Sequence, residues 1–167
     1  MTATSRTPPT TAELVTLDSG LTAVAVSAAA ASDAPPPPSA RPRPPVLFLH
    51  GIMSGAWMFE RYQRFFAARG YSSWALNFRG HFGSRPVADD RFGRTSITEY
   101  VDDAMEAARA LAVAHDVARP LVVGHSMGGL VAQKLAERDA VDAAVLVCSA
   151  PPRGITVWSL KLARYQL

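Results

Sequence analysis

Apolar and polar positions follow one another in blocks along this chain, and the blocks predict strands and helices in alternation. Short, mostly apolar runs occupy residues 46–49, 74–76, 120–123 and 141–147. Such runs are typical of strands that are buried on both faces of a parallel sheet. The segments between them carry apolar residues at helical spacing. The pattern therefore predicts the α/β fold class, with a mostly parallel sheet and helices on both of its faces.

The ends of several elements are also visible in the pattern. Residues 13–17 and 21–26 flank the turn Asp18-Ser19-Gly20, which predicts an antiparallel hairpin. A helix is predicted over residues 54–69, capped by Ser54 and stopped by Gly70. The sequence Ser96-Ile97-Thr98-Glu99 is a capping box and predicts a helix that extends to about Ala114. Core-facing residues recur along that helix at Tyr100, Val101, Ala104, Ala108 and Leu111.

Changes in composition divide the chain into segments. Residues 1–11 are rich in Thr and Pro and are predicted to be a disordered N-terminus, and residues 12–154 form the core. Residues 28–45 are Ala/Pro-rich, cannot pair in a sheet and are predicted to be a loop inside that core. This loop is a spacer or, alternatively, a proline motif for a partner. Residues 155–167 are predicted to begin a cap over the core or to form a tail.

Composition limits the classes of function. Hydrophobic residues make up 49% of the 167 residues and charged residues 19%, so the chain can bury one core. The net charge is +3, and the basic residues are scattered rather than arranged in a stripe, so no nucleic-acid partner is expected. A modest cluster of arginines is interpreted as a solvated loop, with steering of an anionic substrate as the alternative. It consists of Arg79, Arg85, Arg91 and Arg94.

Cysteine and membrane signals are sparse. The lone Cys148 excludes an internal disulfide and is predicted to be an inert core thiol in an apolar strand. No cluster of Cys and His suggests zinc, so neither a metal nor a cofactor is expected. The N-terminus lacks a signal-peptide pattern, and no apolar run approaches the length that spans a membrane. We therefore expect a cytoplasmic protein without stable membrane insertion.

The pentapeptide Gly124-His125-Ser126-Met127-Gly128 is the most informative motif. It lies between a predicted strand and a predicted helix, the context of a nucleophile elbow. Glycines two positions on either side of the serine leave room for a tight, strained turn. The turn would hold Ser126 Oγ above the sheet, at the N-terminal end of the helix. The alternative is a glycine-rich turn with an incidental serine, and the correct flanks favour the elbow.

A second motif follows the run 46–49. The sequence His50-Gly51-Ile52-Met53-Ser54-Gly55 ends that strand. In this type of fold, one backbone N–H of an oxyanion hole comes from the loop after the third strand and the other from the residue after the nucleophile. These donors are predicted to be Ile52 and Met127, with Met53 as the alternative to Ile52. Backbone donors suit the task because the fold already orients them toward the developing negative charge.

Together the two motifs resemble the α/β-hydrolase superfamily, in its serine-nucleophile, esterase/lipase-like branch. A third match is residues 77–84, which are similar to the family's D-x-R-G-H-G-x-S segment. Asn77 stands where Asp is usual, and Phe82 is inserted before Gly83. The resemblance covers residues 12 to about 155 and implies that residues 77–84 are mostly structural. A serine at the elbow also separates this chain from the haloalkane and epoxide branches, which resemble the fold but use Asp there.

The rest of the implied catalytic triad is missing. In this superfamily an acid and then a histidine follow the serine in the chain. No histidine follows His125, and the only later acids are predicted to lie far from the catalytic edge, at the end of a helix and at the start of a strand. These acids are Glu137, Asp139 and Asp142. We therefore expect the sequence to be the N-terminal portion of a hydrolase, without its lid, acid loop, histidine loop and last strands.

None of the four histidines is expected to replace the base. His125 adjoins the nucleophile on a sharp turn, so its ring would have to fold back to reach Oγ. The resemblance makes His50 and His81 loop-packing residues. His115 is predicted to lie at a solvated helix end, next to Asp116.

The expected activity is hydrolysis of a small-molecule carboxylic ester or related acyl substrate, as in lysophospholipase-like enzymes, through an acyl-enzyme. The chain of 167 residues is expected to be inactive because base and acid are absent. The alternatives are a non-catalytic binding or scaffold protein, an acyltransferase and a cofactor-free haloperoxidase. Residues 142–149 would form an exposed apolar edge strand, so self-association is also expected.

Overall fold

The computed structural model describes residues 11–28 and 43–155. The predictions for residues 1–10, for most of the Ala/Pro-rich loop and for residues 156–167 therefore lie outside the described residues. The strands are β1 (Ala12–Thr16), β2 (Thr22–Val26), β3 (Val46–Leu49), β4 (Ser73–Asn77), β5 (Leu121–His125) and β6 (Ala143–Val147). The helices are a 3-10 helix (Ala56–Phe59), α1 (Glu60–Ala67), α2 (Asp89–Phe92), α3 (Ile97–Ala114) and α4 (Met127–Glu137).

The six strands form one sheet in the order β1-β2-β4-β3-β5-β6. The pairs β1·β2 and β2·β4 are antiparallel, whereas β4·β3, β3·β5 and β5·β6 are parallel. The predicted opening hairpin and the mostly parallel sheet are therefore confirmed. Because β4, β3 and β5 run in parallel and in register, their carboxyl ends meet at one edge of the sheet, which we call the carboxyl edge.

Helices cover both faces of the sheet, as predicted. On one face, Leu47, Leu49 and Val122 pack against α3 and α4 in the larger core cluster. On the other face, Val46, Phe48 and Ala75 pack against Phe59 and the partly buried Phe66, from the 3-10 helix and α1. Successive residues of β3 thus point to opposite faces and are all buried, which explains why the run 46–49 contains no polar position.

The capping box at the start of α3 is confirmed. Ser96 Oγ accepts a hydrogen bond from Glu99 N at 3.3 Å, and Glu99 Oε2 accepts one from Ser96 N at 2.8 Å. The predicted core-facing residues of this helix are all buried. No helix in the described part of the chain is both long enough and apolar enough to cross a membrane.

The helix predicted over residues 54–69 is wrong at its start. A 3-10 helix begins at Ala56 with Gly55 as its N-cap, and the hydroxyl of Ser54 instead donates to Met58 Sδ at 3.0 Å. The reason is tertiary, because Ala56 N donates to Asn77 Oδ1 of β4 at 2.8 Å and so sets where the helical turns begin. Gly70 follows the last turn with φ of +79°, a left-handed conformation that ends the helix.

The prediction for Cys148 is also wrong. Cys148 is exposed and lies just beyond β6, where its φ is +46°. Strand β6 is at the edge of the sheet, and its residues 143–146 are exposed on both faces. The apolar run 141–147 therefore does not indicate burial of its whole length. Within the described residues, no strand pairs with the free edge of β6. Self-association through this edge stays a prediction.

Candidate active site

Ser126 lies between β5 and α4 in a conformation that few non-glycine residues adopt. Its φ is 55° and its ψ is −116°. Such a backbone is strained and persists only where neighbouring structure holds it. Here Ser126 N donates to Val147 O at 3.0 Å, and Ala150 N donates to Ser126 O at 2.8 Å. The end of β6 thus fixes the serine backbone on both sides.

The two flanking glycines are needed for close packing, as the motif predicts. A Cβ on Gly124 would lie 2.2 Å from Gly128 O. A Cβ on Gly128 would lie 2.2 Å from Leu49 O and 2.7 Å from His50 O. Helix α4 therefore starts directly against the end of β3, and this contact brings Ser126 beside the loop that follows β3.

Gly51 is the point at which that loop meets the serine. A Cβ placed on Gly51 would lie 3.0 Å from Ser126 Cβ and 3.5 Å from Ser126 Oγ. The predicted oxyanion donors flank this contact: Ile52 is the next residue along the loop, and Met127 is the first residue of α4. The first N–H groups of a helix have no partner within the helix and carry its positive dipole end. The N–H of Met127 therefore has no acceptor within α4 and can donate to an anion. The roles of Ile52, Met53 and Met127 in an oxyanion hole stay predictions.

His50 is buried and uses both of its ring nitrogens. Phe78 N donates to His50 Nε2 at 3.2 Å, so Nε2 is unprotonated and the remaining proton lies on Nδ1, 2.7 Å from Gly51 O. Burial lowers the pKa of His50 from 6.5 to about 4, while the hydrogen bond to Gly51 opposes the shift. His50 is therefore neutral, joins β3 to the end of β4 and supports Gly51. The predicted loop-packing role of His50 agrees with this geometry.

The lowered pKa of His50 predicts an acid-dependent loss of stability. Between pH 6.5 and about 4 the unfolded chain binds a proton at this histidine and the folded chain does not. The contribution of His50 to the free energy of unfolding is therefore fully present above pH 6.5 and is lost as the pH falls to 4. At 1.36 kcal/mol per pKa unit, the loss is about 3 kcal/mol. We expect His50→Gln to remove most of this slope in urea denaturation series at several pH values. His115→Gln is the control, and an equal loss of slope in both variants would contradict the assignment.

The other histidines are placed differently. His81 is buried at the carboxyl edge, where its ring packs 4.9 Å from that of His50 and its Nδ1 lies 2.9 Å from Arg79 O. His115 is the C-cap of α3, and partial burial lowers its pKa. It precedes β5, so it lies at the end of that strand opposite Ser126. His125 Nδ1 is buried beside Gly51, and no hydrogen bond reaches it from the described residues. No residue in the described ranges hydrogen-bonds to Ser126 Oγ.

The acids that follow the serine are engaged elsewhere, where the sequence predicted them. Arg119 pairs with both Asp139 and Asp142, the latter at 3.0 Å. Lys134 pairs with Glu137 at 2.9 Å, at the C-terminal end of α4. Arg119 precedes β5 and Asp142 precedes β6, so their ion pair lies at the opposite edge of the sheet from Ser126.

Asn77 has a structural role that the sequence did not reveal. Besides accepting from Ala56 N, it donates through Nδ2 to Thr22 Oγ1 at 3.2 Å. An ionised Asp could accept the first bond but could not donate the second. Ser84 Oγ donates to Asn77 O at 2.6 Å and accepts from Thr22 N at 3.0 Å. Residues 77–84 thus tie β2, β4 and the loop after β3 together, consistent with a structural segment.

Arg79 corrects the interpretation of the arginine cluster as a solvated loop. Its side chain is only 11% exposed and forms an ion pair with Asp103 of α3, whose side chain is 1% exposed. Arg79 Nε and Nη2 reach Asp103 at 2.9 and 2.6 Å, and Nη1 reaches Glu99 at 3.2 Å. These partners raise the pKa of Arg79. The signal in the sequence was the i,i+4 spacing of Glu99 and Asp103 on one helix face. Arg85, Arg91 and Arg94 are exposed, as expected.

Comparisons with known proteins agree with this geometry. The probable esterase PIR7A of Oryza sativa subsp. indica is 34% identical over 108 residues, covering 64% of this chain and 39% of that protein. Esterase PIR7B of Oryza sativa subsp. japonica is 33% identical over 116 residues, covering 68% and 41%. The crystal structure of epoxide hydrolase A from Mycobacterium thermoresistibile superposes with a TM-score of 0.60 at 23% identity, covering 95% of this chain and 44% of that chain, which is a likeness of fold.

The chain thus spans about two fifths of the length of these curated relatives. The alpha/beta hydrolase family model matches residues 46–166, which include β3, β4, β5, α4 and β6. The strained serine between β5 and α4, the loop after β3 and this match lead to one assignment: the chain belongs to the α/β hydrolase family.

Proposed function

We propose that Ser126 is the nucleophile of a serine hydrolase that cleaves small-molecule carboxylic esters through an acyl-enzyme. The observation that carries the proposal is the strained backbone of Ser126 at the start of α4, in contact with Gly51. The two curated relatives are named as a probable esterase and an esterase, which supports ester substrates. The serine at the elbow favours this chemistry over epoxide opening, for which similar folds use Asp.

In acylation, Ser126 Oγ forms a bond to the acyl carbon and its proton passes to a general base. The carbonyl oxygen becomes an oxyanion, held by the N–H groups of Ile52 and Met127, and the alcohol leaves with the proton. Water then attacks the acyl carbon, releases the acid and restores the hydroxyl. One backbone donor of this kind contributes about 10²–10³ in rate.

We assign the base and the acid of this reaction to none of the histidines and acids in the sequence. Both ring nitrogens of His50 are used in packing, and His115 lies at the far edge of the sheet. The ion pairs of Arg119 hold Asp139 and Asp142 at that same far edge. No residue in the described ranges hydrogen-bonds to Ser126 Oγ, so we propose that the 167-residue chain by itself turns over slowly, limited to what an oxyanion hole and binding give, about 10³–10⁴-fold over water.

A diffusible base tests this proposal. With p-nitrophenyl acetate alone we expect slow turnover by the 167-residue chain, and with added imidazole a rate increment and an acyl adduct on Ser126 in mass spectrometry. After subtraction of the reaction of imidazole with the ester in the absence of protein, Ser126→Ala should lose both the increment and the adduct. Ser72→Ala is the matched control, because Ser72 Oγ accepts from Ala28 N at the opposite edge, and it should keep both.

Two results would count against the proposal. Absence of any adduct on Ser126 would favour the non-catalytic binding or scaffold alternative. Fast turnover without imidazole, lost in Ser126→Ala, would mean that a base exists in this chain.

Size-exclusion elution of the same preparation tests the proposed self-association through β6, since a monomer at all concentrations would contradict it.

A further inference from the structure

Four large apolar side chains lie exposed on the segments that follow β3 and β4, at the carboxyl edge. Ile52 is 60% exposed, Met53 78%, Trp57 61% and Phe82 60%. We call these four residues the apolar rim. Trp57 and Phe82 are in contact, with ring centroids 6.1 Å apart and planes at 70°. Single exposed apolar residues are common on protein surfaces, whereas contiguous apolar patches mark binding surfaces.

Phe82 is held outward by a strained turn. Its φ is 42°, which costs free energy for a residue with a bulky side chain. The turn is fixed on both sides, because His81 N donates to Phe78 O at 3.0 Å and Ser84 N donates to His81 O at 2.9 Å. A strained backbone thus holds an aromatic ring that is exposed and does not pack in the core. We interpret this arrangement as a sign that the ring has a function.

Gly55 makes room for the same ring. A Cβ on Gly55 would lie 2.4 Å from Phe82 Cδ2, 2.9 Å from Cε2 and 3.0 Å from Cγ. One side of the ring thus packs directly against the backbone at the end of the loop that follows β3. This loop begins at Gly51, which contacts Ser126, so residues 51–57 connect the serine to the rim.

The rim lies on one side of Ser126 along the carboxyl edge. Its residues follow β3 and β4, and Ser126 follows β5, which is next to β3. The ends of β4 and β5 are two strand spacings apart, about 10 Å along the edge. A group that is bound to Ser126 and lies over the rim must be elongated to reach Phe82.

The chemistry of the rim favours the acyl half of the ester. The leaving alcohol must receive a proton at its oxygen, so a proton donor has to reach that side of the acyl carbon. Ile52, Met53, Trp57 and Phe82 have no titratable side chain, so no proton can be delivered from the rim. The acyl chain takes part in no proton transfer and gains from apolar contact along its length.

We propose that the apolar rim binds the acyl chain of the ester, and that the Phe82–Trp57 pair sets a preference for elongated apolar acyl groups over acetyl. This proposal rests on the proposed function of Ser126. Removal of the Phe82 ring lowers the octanoyl-to-acetyl preference about tenfold, the size of effect expected when a few methylene contacts are lost.

Binding without chemistry is the first test. The indole N–H signal of Trp57, assigned with Trp57→Phe, should shift on titration with octanoate and not with acetate in heteronuclear NMR spectra. Phe82→Ala should abolish the shift. Gly55→Ala, whose Cβ displaces the ring without removing it, should weaken the shift in the same way and gives a second, independent variant. Phe65→Ala is the matched control, because Phe65 is an aromatic residue of α1 that is 52% exposed and lies outside the rim.

Acylation is the second test. With imidazole as the base, the rate of adduct formation on Ser126 should be higher for p-nitrophenyl octanoate than for p-nitrophenyl acetate, and Phe82→Ala should lower that ratio about tenfold relative to Phe65→Ala. An octanoate shift at Trp57 that persists in Phe82→Ala, or an unchanged ratio, overturns the rim proposal. Absence of any adduct with either ester overturns the function of Ser126 instead, and the Trp57 shift then decides the rim by itself.

Discussion

Gly128→Ala is expected to lower the free energy of unfolding by about 3 kcal/mol or more, the upper range for a side chain forced into a filled space. Its Cβ would lie 2.2 Å from Leu49 O and 2.6 Å from Leu49 C, and both are backbone atoms of β3 that cannot rotate away. Helix α4 would have to move off the sheet. Urea denaturation measures the effect, and a loss of the Ser126 adduct should accompany it because Met127 and Ser126 move with the helix.

Gly93→Ala is the matched control for this substitution. Gly93 has φ of −72°, and no atom lies within 4 Å of a Cβ built there. Alanine fits such a backbone and restricts the unfolded chain, so a change between zero and about 1 kcal/mol of stabilisation is expected. If the two variants unfold at the same urea concentration, the close approach of α4 to β3 is not what requires glycine at position 128.

Asp103→Ala is expected to destabilise the fold by about 3–5 kcal/mol, the cost of removing one partner from a buried ion pair. Asp103 accepts from Arg79 N, Nε and Nη2, and its side chain is 1% exposed. Its removal leaves the guanidinium, which is 11% exposed, with Glu99 as its remaining partner. Denaturation at neutral pH measures the loss.

The adjacent residue supplies the control for charge and helix propensity. Asp102 lies in the same turn of α3, is 61% exposed and is 3.8 Å from Arg138 Nη1. Exposed pairs of this kind contribute about 0–1 kcal/mol, so Asp102→Ala should have little effect. Equal destabilisation by the two substitutions would show that the burial of the Arg79–Asp103 pair is not the cause.

Local rules were sufficient where a residue's neighbours in the chain decide its conformation. The capping box at Ser96 and Glu99 and the hairpin turn at Gly20 depend on contacts within a few residues, and the elbow around Ser126 is identified by its local motif. The apolar pattern identified β3 and most of β5, since strand residues that are buried on both faces are apolar. The fold class and the candidate nucleophile could therefore be predicted without a structure.

Long-range contacts decided the rest. The start of the 3-10 helix depends on Asn77, which is 21 positions away in the chain, and no local signal indicates that hydrogen bond. The burial of Arg79 has no local signal because its partner Asp103 lies on another element. The exposure of Cys148 has none because an apolar strand at a sheet edge has the same sequence pattern as a buried one.

The sequence by itself thus determined the order of the elements, the elbow and the histidines and acids available for chemistry. Only the tertiary structure decided which of those groups are already engaged, since His50 is held by the N–H of Phe78 and Asp142 by Arg119. It also decided that Gly51 touches Ser126 and that Phe82 lies against Gly55. The physical reason is that the conformation of a turn is set by a few adjacent dihedral angles, whereas the distance between two loops depends on which strands are neighbours in the sheet.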